Sequence, residues 1–163
     1  MDAAASYRDD MSSSPLTYRV RAHAPAHGSA SVRAGSSEVA LDVDWGQAPT
    51  GEPGPAELLA SAVAACLLKN LARTRDLIGF DYDDATVEVI ARRQDSPPRF
   101  VDVSYSLVLS TAESPHRLEL VHRNLRKFGT VYNTLAAVCD VHGELSARVA
   151  TRHVHCLSQD GED

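Results

Sequence analysis

The chain has few aromatic residues, few cysteines and no excess of positive charge. Aromatic side chains make up 6% of its 163 residues, so a core must be built mainly from Ala, Val and Leu. The formal net charge is −6 and no run of Lys and Arg occurs. This balance argues against nucleic acid as a partner, because phosphate binding needs a basic face. It also disfavours an anionic membrane surface.

Long apolar runs and an apolar leader are lacking as well. The longest weakly polar run, residues 58–68, is shorter than the roughly 18 residues that span a bilayer. Residues 1–15 are acidic and Ser-rich and have no apolar signal core. We therefore expect a cytoplasmic protein without a membrane partner. Three cysteines in such a protein do not indicate a disulfide framework, so each is a buried small side chain, a metal ligand or a reactive thiol.

What is present fits one α+β domain. Hydrophobic residues make up 44% of the chain, enough for a core, and strand patterns are segregated from helix patterns. We predict a disordered tail at 1–15, a domain at 16–156 and a second tail at 157–163. The predicted elements are strands at 17–22, 29–33 and 39–43, a helix at 55–78, a hairpin of strands at 86–92 and 100–109, helices at 114–128 and 131–138, and a strand at 145–154.

The helix at 55–78 has the firmest local signals. Pro55 suits a first helical turn, where its missing N–H costs nothing. Gly79 is typical of the left-handed residue that ends a helix. Residues 58–68 are apolar or small on every side, a pattern that predicts burial all round. Cys66 is thereby placed in the middle of a core helix.

Cys66 allows two interpretations. A free cysteine is most often a small buried hydrophobic residue. Here, however, Lys69 and Asn70 follow at i+3 and i+4, which puts a cation and a polar group on the same helix face. The helix dipole contributes little three turns from the helix start. Any lowering of the thiol pKa would come from Lys69, from an arginine of another segment or from a partner chain.

The helix start also carries a resemblance. Residues 54–66 combine a Pro-x-Glu-Leu start, a run of small residues and then Cys66. This segment resembles the signature of the central helix in the OsmC/Ohr family of organic hydroperoxide reductases and osmotically inducible proteins. The Gly-Phe pair at 79–80, the hairpin with its Pro-rich turn and residues 127–135 fit the same pattern. The resemblance covers about residues 16 to 154.

The resemblance implies a fold and an activity. The fold is an intertwined homodimer with an N-terminal β-meander, a long central helix, a β-hairpin, a second helix pair and a final strand. The active sites lie at the dimer interface. The helix cysteine, here Cys66, attacks an organic hydroperoxide or hydrogen peroxide and becomes a sulfenic acid. A second cysteine then forms a disulfide with it, which a dithiol reduces. An arginine and a glutamate activate the thiolate, and no cofactor or metal is expected.

The family pattern is incomplete in this chain. The second cysteine normally stands in a Cys-Pro-Val run, and Gly129 occupies its position here. The supporting glutamate is replaced by Ala56, so the neighbouring Glu57 is the remaining acidic candidate. The arginine comes from the N-terminal meander, where Arg33 is the first candidate and Arg21 the second. An external thiol or dithiol would then be the reductant.

Cys139 lies ten residues beyond Gly129 and is the other possible second thiol, although a buried packing role is more typical of such a residue. A metal site is a weaker alternative, because the Cys and His residues lack the compact spacing of structural zinc sites. Its candidate ligands are Cys139, His142, His153, His155 and Cys156. A competing hypothesis keeps the dimeric fold but makes it a binding protein for a small apolar ligand at the dimer interface, with Cys66 passive.

Overall fold

A computed structural model describes residues 16–148 and divides them after Gly54 into two compact units. The first unit is all strand, and the second combines three helices with a three-stranded sheet, so the α+β class is confirmed. The predicted tails, the end of the predicted last strand and three of the proposed metal ligands lie outside the described residues. Those ligands are His153, His155 and Cys156.

The first unit is the predicted β-meander. Strands β1 (Val20–His23), β2 (Ala30–Ala34) and β3 (Ser37–Leu41) pair antiparallel in chain order. Their bounds differ from the predicted ones by one to three residues at each end, a shift that weak alternation readily produces. In the register of β1 and β2, Arg21 stands opposite Arg33, so both arginines lie on the same face of this sheet.

The second unit begins with helix α1 (Pro55–Ile78), whose predicted bounds are confirmed. Gly79 has a φ of +59° and its N–H donates to the carbonyl of Arg75 (3.1 Å). The left-handed conformation of this residue ends the helix, and glycine occupies the position because a side chain would be strained there. The Arg117 guanidinium donates to the carbonyls of Ile78 (3.1 Å) and Gly79 (2.9 Å), so a side chain from another helix also satisfies this terminus.

The hairpin and the helix pair follow as predicted. Strands β4 (Asp84–Asp95) and β5 (Pro98–Ser110) pair antiparallel. Helix α2 (Pro115–Phe128) is capped by Ser114, whose hydroxyl accepts from the N–H of Arg117 (3.4 Å). Gly129 separates it from the short helix α3 (Thr130–Ala136). Strand β6 (Asp140–Arg148) completes a sheet of order β4-β5-β6 by pairing parallel with β5.

The predicted start of the last strand at residue 145 is wrong, because β6 begins at Asp140. Val141 is buried and Leu145 half-buried, while the residues between them include an exposed histidine and a glycine. Gly143 lies so close to Tyr105 on β5 that a Cβ would overlap its ring and its backbone. A glycine at position 143 permits this close approach of the two strands. The same glycine weakens the strand pattern in the sequence, so the first residues of β6 were not predicted.

The core forms where α1 packs on β4, α2 and α3. Buried α1 residues recur at helical spacing and meet buried side chains of β5 and α2. The largest fully buried side chains are Phe80, Leu67, Leu71, Leu107, Leu109, Leu125, Val63, Val103 and Val121. Each contributes roughly 1.5–3 kcal/mol by leaving water.

The expected burial of residues 58–68 on every side is wrong for the single chain. Val63 and Leu67 are buried, but Ala65 is exposed and Leu68 keeps 37% of its surface. The neighbouring elements of the unit cover only one side of the helix. Although α1 is long and apolar enough to cross a membrane by length and composition alone, its buried stripe packs on β4, α2 and α3 as a core helix does.

Candidate functional site

Cys66 lies at the edge of the buried stripe of α1. Its neighbours Val63 and Leu67 are fully buried, whereas Cys66 itself is half-buried and carries a free thiol. The residue therefore lies at the boundary between the core and the exposed side of the helix. This placement differs from that of an inert core cysteine, which is sealed in aliphatic packing.

Gly129 packs directly beside this sulfur. A Cβ atom at position 129 would lie 3.4 Å from Cys66 Sγ. The fold thus brings together Cys66 and the position where the sequence resemblance places a second cysteine. The same Cβ would lie 2.8 Å from the carbonyl oxygen of Leu125 and 2.9 Å from Cβ of Tyr132. Since the Leu125 oxygen belongs to the backbone, a side chain at 129 requires α2 or α3 to move.

Asn70 is the polar neighbour of the sulfur. Its Nδ2 donates to the Cys66 carbonyl oxygen (2.9 Å) and lies 3.6 Å from Cys66 Sγ. The i+4 spacing predicted this proximity. Lys69, the other predicted neighbour, has an exposed side chain.

A small cleft begins at Asn70 and runs between α1 and α2. Its volume is about 40 Å³, which is room for only a few atoms. The Arg73 guanidinium carbon lies 4.9 Å from the centre of the exposed Phe128 ring, and Lys127 Nζ lies 5.3 Å from it. Sequence reasoning missed this cleft, although its α1 members share a helix face. The lining residues are Asn70, Arg73, Thr74, Leu77, Ile78, Asn124 and Phe128.

Glu57 and the two arginines stay unassigned candidates. Glu57 is exposed in the first turn of α1, and nine residues of helix separate it from Cys66 by about 13 Å along the axis. Glu57 is therefore too far along the helix to contact the sulfur of its own chain. Arg33 forms an exposed ion pair with Glu38 (2.8 Å), which raises the pKa of Arg33 and lowers that of Glu38. The roles predicted for Glu57, Arg33 and Arg21 remain predictions.

Cys139 lies at the far end of α3 from Gly129. Its Sγ donates to the carbonyl oxygen of Leu135 (3.4 Å), and burial together with Asp102 and Asp140 raises its pKa. A raised pKa weakens a thiol as a nucleophile at neutral pH. The seven residues of α3 span about 10 Å, so helix α3 separates Cys139 from the position beside Cys66. This placement favours the packing role for Cys139.

His142 joins two carboxylates rather than the predicted cysteine. The ligand atoms of Asp102, Asp140 and His142 lie within 4.8 Å of one another. His142 Nε2 is 2.9 Å from one Asp102 oxygen, and Arg92 donates to the other (2.8 Å). His142 and Arg92 lower the pKa of Asp102. Both Asp102 oxygens thus have partners within the chain. We interpret the group as a network of ion pairs at the surface.

A buried pair links β5 to α2. Tyr105 Oη lies 2.7 Å from His122 Nε2, and their rings meet edge to face. Burial raises the pKa of Tyr105 to about 12. Burial and the nearby Arg126 lower the pKa of His122. The tyrosine is therefore protonated and the histidine neutral at pH 7, and one hydrogen bond joins the hydroxyl to Nε2, with its direction set by the tautomer of the ring.

Comparison with known proteins gives one family and a set of similar folds. The family described as OsmC-like protein matches residues 46–142. No curated protein sequence matches the chain. An OsmC-like protein from Mycoplasma pneumoniae has a similar structure, with a TM-score of 0.74 and 16% identity over 83% of this chain and 99% of that one.

Two further similar structures carry names that refer to hydroperoxides. The organic hydroperoxide resistance protein OsmC of Legionella pneumophila superposes with a TM-score of 0.62 and 18% identity, over 84% of this chain and 100% of that one. The organic hydroperoxide resistance protein OhrB of Bacillus subtilis superposes with a TM-score of 0.57 and 18% identity, over 80% of this chain and 98% of that one. At such identities the likeness shows a shared fold.

Proposed function

Because the chain belongs to the OsmC-like protein family, we propose that it is a thiol-dependent peroxidase with Cys66 as its nucleophile. Its substrates are organic hydroperoxides or hydrogen peroxide, its reductant is an external thiol or dithiol, and it acts in the cytoplasm in defence against oxidative stress. The names of similar structures from Legionella pneumophila and Bacillus subtilis refer to organic hydroperoxide resistance, which supports this substrate class.

One observation carries the proposal: the half-buried Cys66 thiol lies beside position 129 and beside an amide donor. A peroxidase cysteine must be reachable by a small solute and must have a polar group near its sulfur. The half-buried position of Cys66 and the neighbouring Asn70 amide fit both requirements. A purely structural cysteine needs neither, so this arrangement favours the enzyme over a passive role for the residue.

The oxidative step requires the thiolate, the peroxide and one proton, which water supplies. The Cys66 sulfur attacks the terminal peroxide oxygen, an S–O bond forms, and the O–O bond breaks. The leaving alkoxide takes a proton and departs as an alcohol, or as water when the substrate is hydrogen peroxide. The sulfur loses two electrons and becomes a sulfenic acid, while the peroxide gains them.

The reductive step follows from the glycine at position 129. Since Cys139 lies beyond α3, an external thiol condenses with the sulfenic acid, forming a mixed disulfide and releasing water. A second thiol group, from the same dithiol or from another molecule, then attacks the disulfide. This exchange restores the Cys66 thiol and releases the oxidised reductant.

We further propose that the active protein is a homodimer. Helix α1 exposes Ala65 and Leu68 next to the cysteine, and Leu77 keeps 65% of its surface. Apolar side chains on a core helix gain free energy when a second copy covers them. A second copy would also supply the Glu57 that its own chain holds too far along the helix.

A peroxide-consumption assay tests the enzyme. Purified protein is mixed with cumene hydroperoxide and a dithiol, and Cys66→Ser is compared with Cys139→Ser. Loss of consumption in Cys66→Ser alone supports the proposal. Equal, slow consumption by the wild type and Cys66→Ser rejects it. The protein would then be the alternative, an OsmC-fold dimer that binds a small apolar ligand, and equilibrium dialysis with such a ligand would detect it.

A further inference from the structure

The orientation of the Asn70 amide follows from its two contacts. The Cys66 carbonyl oxygen accepts hydrogen bonds and cannot donate them, so the amide must present its NH₂ end at 2.9 Å from that oxygen. The same nitrogen lies 3.6 Å from Cys66 Sγ. One N–H can point to the carbonyl and the other to the sulfur. The sulfur therefore faces the NH₂ end of the Asn70 amide.

A donor at this place acts differently on the two forms of the thiol. A thiolate accepts a hydrogen bond strongly because it carries a full negative charge, whereas a neutral thiol accepts weakly. A hydrogen bond to the charged form stabilises that form and lowers the pKa of the group. Asn70 is part-buried, so water competes little for the amide. Its bond to the helix backbone also holds the donor in place.

The helix itself does not supply this stabilisation. Cys66 is eleven residues after Pro55, the first residue of α1, which is about 16 Å along the axis. The favourable field of a helix start is limited to its first turn. Within α1, the geometry therefore offers the Asn70 amide as a source of stabilisation for the Cys66 thiolate.

We propose that Asn70 is a positioning residue that stabilises the Cys66 thiolate by donating an N–H to its sulfur. The proposal rests on the proposed function only in that the thiolate is the attacking species. Asn70 touches neither peroxide nor reductant in this role. It orients the sulfur and offers the attacking thiolate a hydrogen-bond donor.

The test measures the pH dependence of Cys66 alkylation by iodoacetamide, between pH 5 and 10, in a Cys139→Ser/Cys156→Ser background. Asn70→Ala is expected to slow alkylation at pH 7 roughly three- to tenfold, because the reacting thiolate loses a hydrogen bond that stabilises it. Asn70→Asp has the same shape but puts a negative charge beside the sulfur, so it should slow alkylation further.

Asn133→Ala is the matched control, because the Asn133 amide donates in the same way to a backbone carbonyl, that of Lys127 (3.1 Å). It should leave the alkylation profile unchanged. If Asn70→Ala fails to fold, the isosteric Asn70→Asp decides the question. A wild-type profile in Asn70→Asp, or an equal shift in Asn133→Ala, overturns the proposal. Alkylation needs no peroxide, so the test of Asn70 can succeed or fail whatever the peroxidase assay shows.

Discussion

Cys66 on α1 faces Gly129 between α2 and α3, since a Cβ added at position 129 would lie 3.4 Å from the Cys66 sulfur. The residues are 63 positions apart in the sequence, and the packing of three helices brings them together. The glycine at position 129 has a second effect besides the absence of a thiol. Its missing side chain permits the close approach of the Leu125 carbonyl, so the packing around Cys66 depends on it.

Gly129→Cys is therefore expected to destabilise the protein by roughly 1–3 kcal/mol, because the new Cβ overlaps the Leu125 oxygen and must displace it. Urea unfolding measures the change. Gly129→Ala is the control, since it adds the Cβ without the thiol and should cost a similar amount. Wild-type stability in both variants would contradict this prediction, because it would show that the helices move apart at no cost in free energy.

The Gly129→Cys protein should also change its chemistry. Peroxide treatment is expected to give a disulfide between residues 66 and 129, because the new side chain starts 3.4 Å from the Cys66 sulfur. Peptide mass spectrometry without reductant detects the linkage, and Cys66→Ser in the same background should abolish it. Peroxide-treated Gly129→Cys with both thiols still unlinked would contradict the proximity of the two positions.

Cys139→Ser should keep at least about half of the peroxidase activity. Helix α3 separates Cys139 from the position beside Cys66, and its raised pKa makes it a poor partner for a sulfenic acid. The serine hydroxyl can still donate to Leu135, so stability should hardly change. Steady-state peroxide consumption with an external dithiol provides the measurement. A large loss of turnover, together with a Cys66–Cys139 peptide in the wild type, would restore a two-cysteine cycle.

Acid should weaken the fold through His122. Its pKa is lowered in the folded state, so between that value and the ordinary 6.5 the unfolded chain binds more protons. The free energy of unfolding then rises with pH in this window, and stability is lost as pH falls below about 6.5. Urea unfolding from pH 5 to 7.5 measures this slope, and His122→Gln should flatten it. An unchanged slope in the variant would assign the acid sensitivity to other groups.

Leu68→Glu should dissociate the proposed homodimer. Placing a charge where a second copy covers α1 buries it without a partner, at a cost of several kcal/mol. The dimer dissociation constant should therefore rise at least about a hundredfold. Sedimentation velocity reads the oligomeric state, and Leu68→Ala, which stays apolar, should remain a dimer. A wild-type monomer would exclude the shared-site arrangement altogether, and a dimeric Leu68→Glu would place the interface elsewhere.

Some features of this protein were determined locally and could be predicted from the sequence. Pro55 and Gly79 bound α1, and Ser114 caps α2, because the conformations they favour depend on a few adjacent residues. Cys66 and position 129 were picked out by the resemblance to the OsmC/Ohr family, which rests on the residues around each of them, and their roles remain predictions. Asn70 followed from helical spacing alone.

Other features were decided only by the tertiary structure. Strand β6 begins at Asp140 because Gly143 fits beneath Tyr105, a contact with β5 that no local pattern contains. Helix α1 is covered on one side because its neighbours occupy that side alone. The contact of Cys66 with Gly129 likewise arises when helices distant in sequence pack together. Turns and caps depend on the chain nearby, whereas burial and contact depend on which surfaces exclude water together, and this is set by the whole fold.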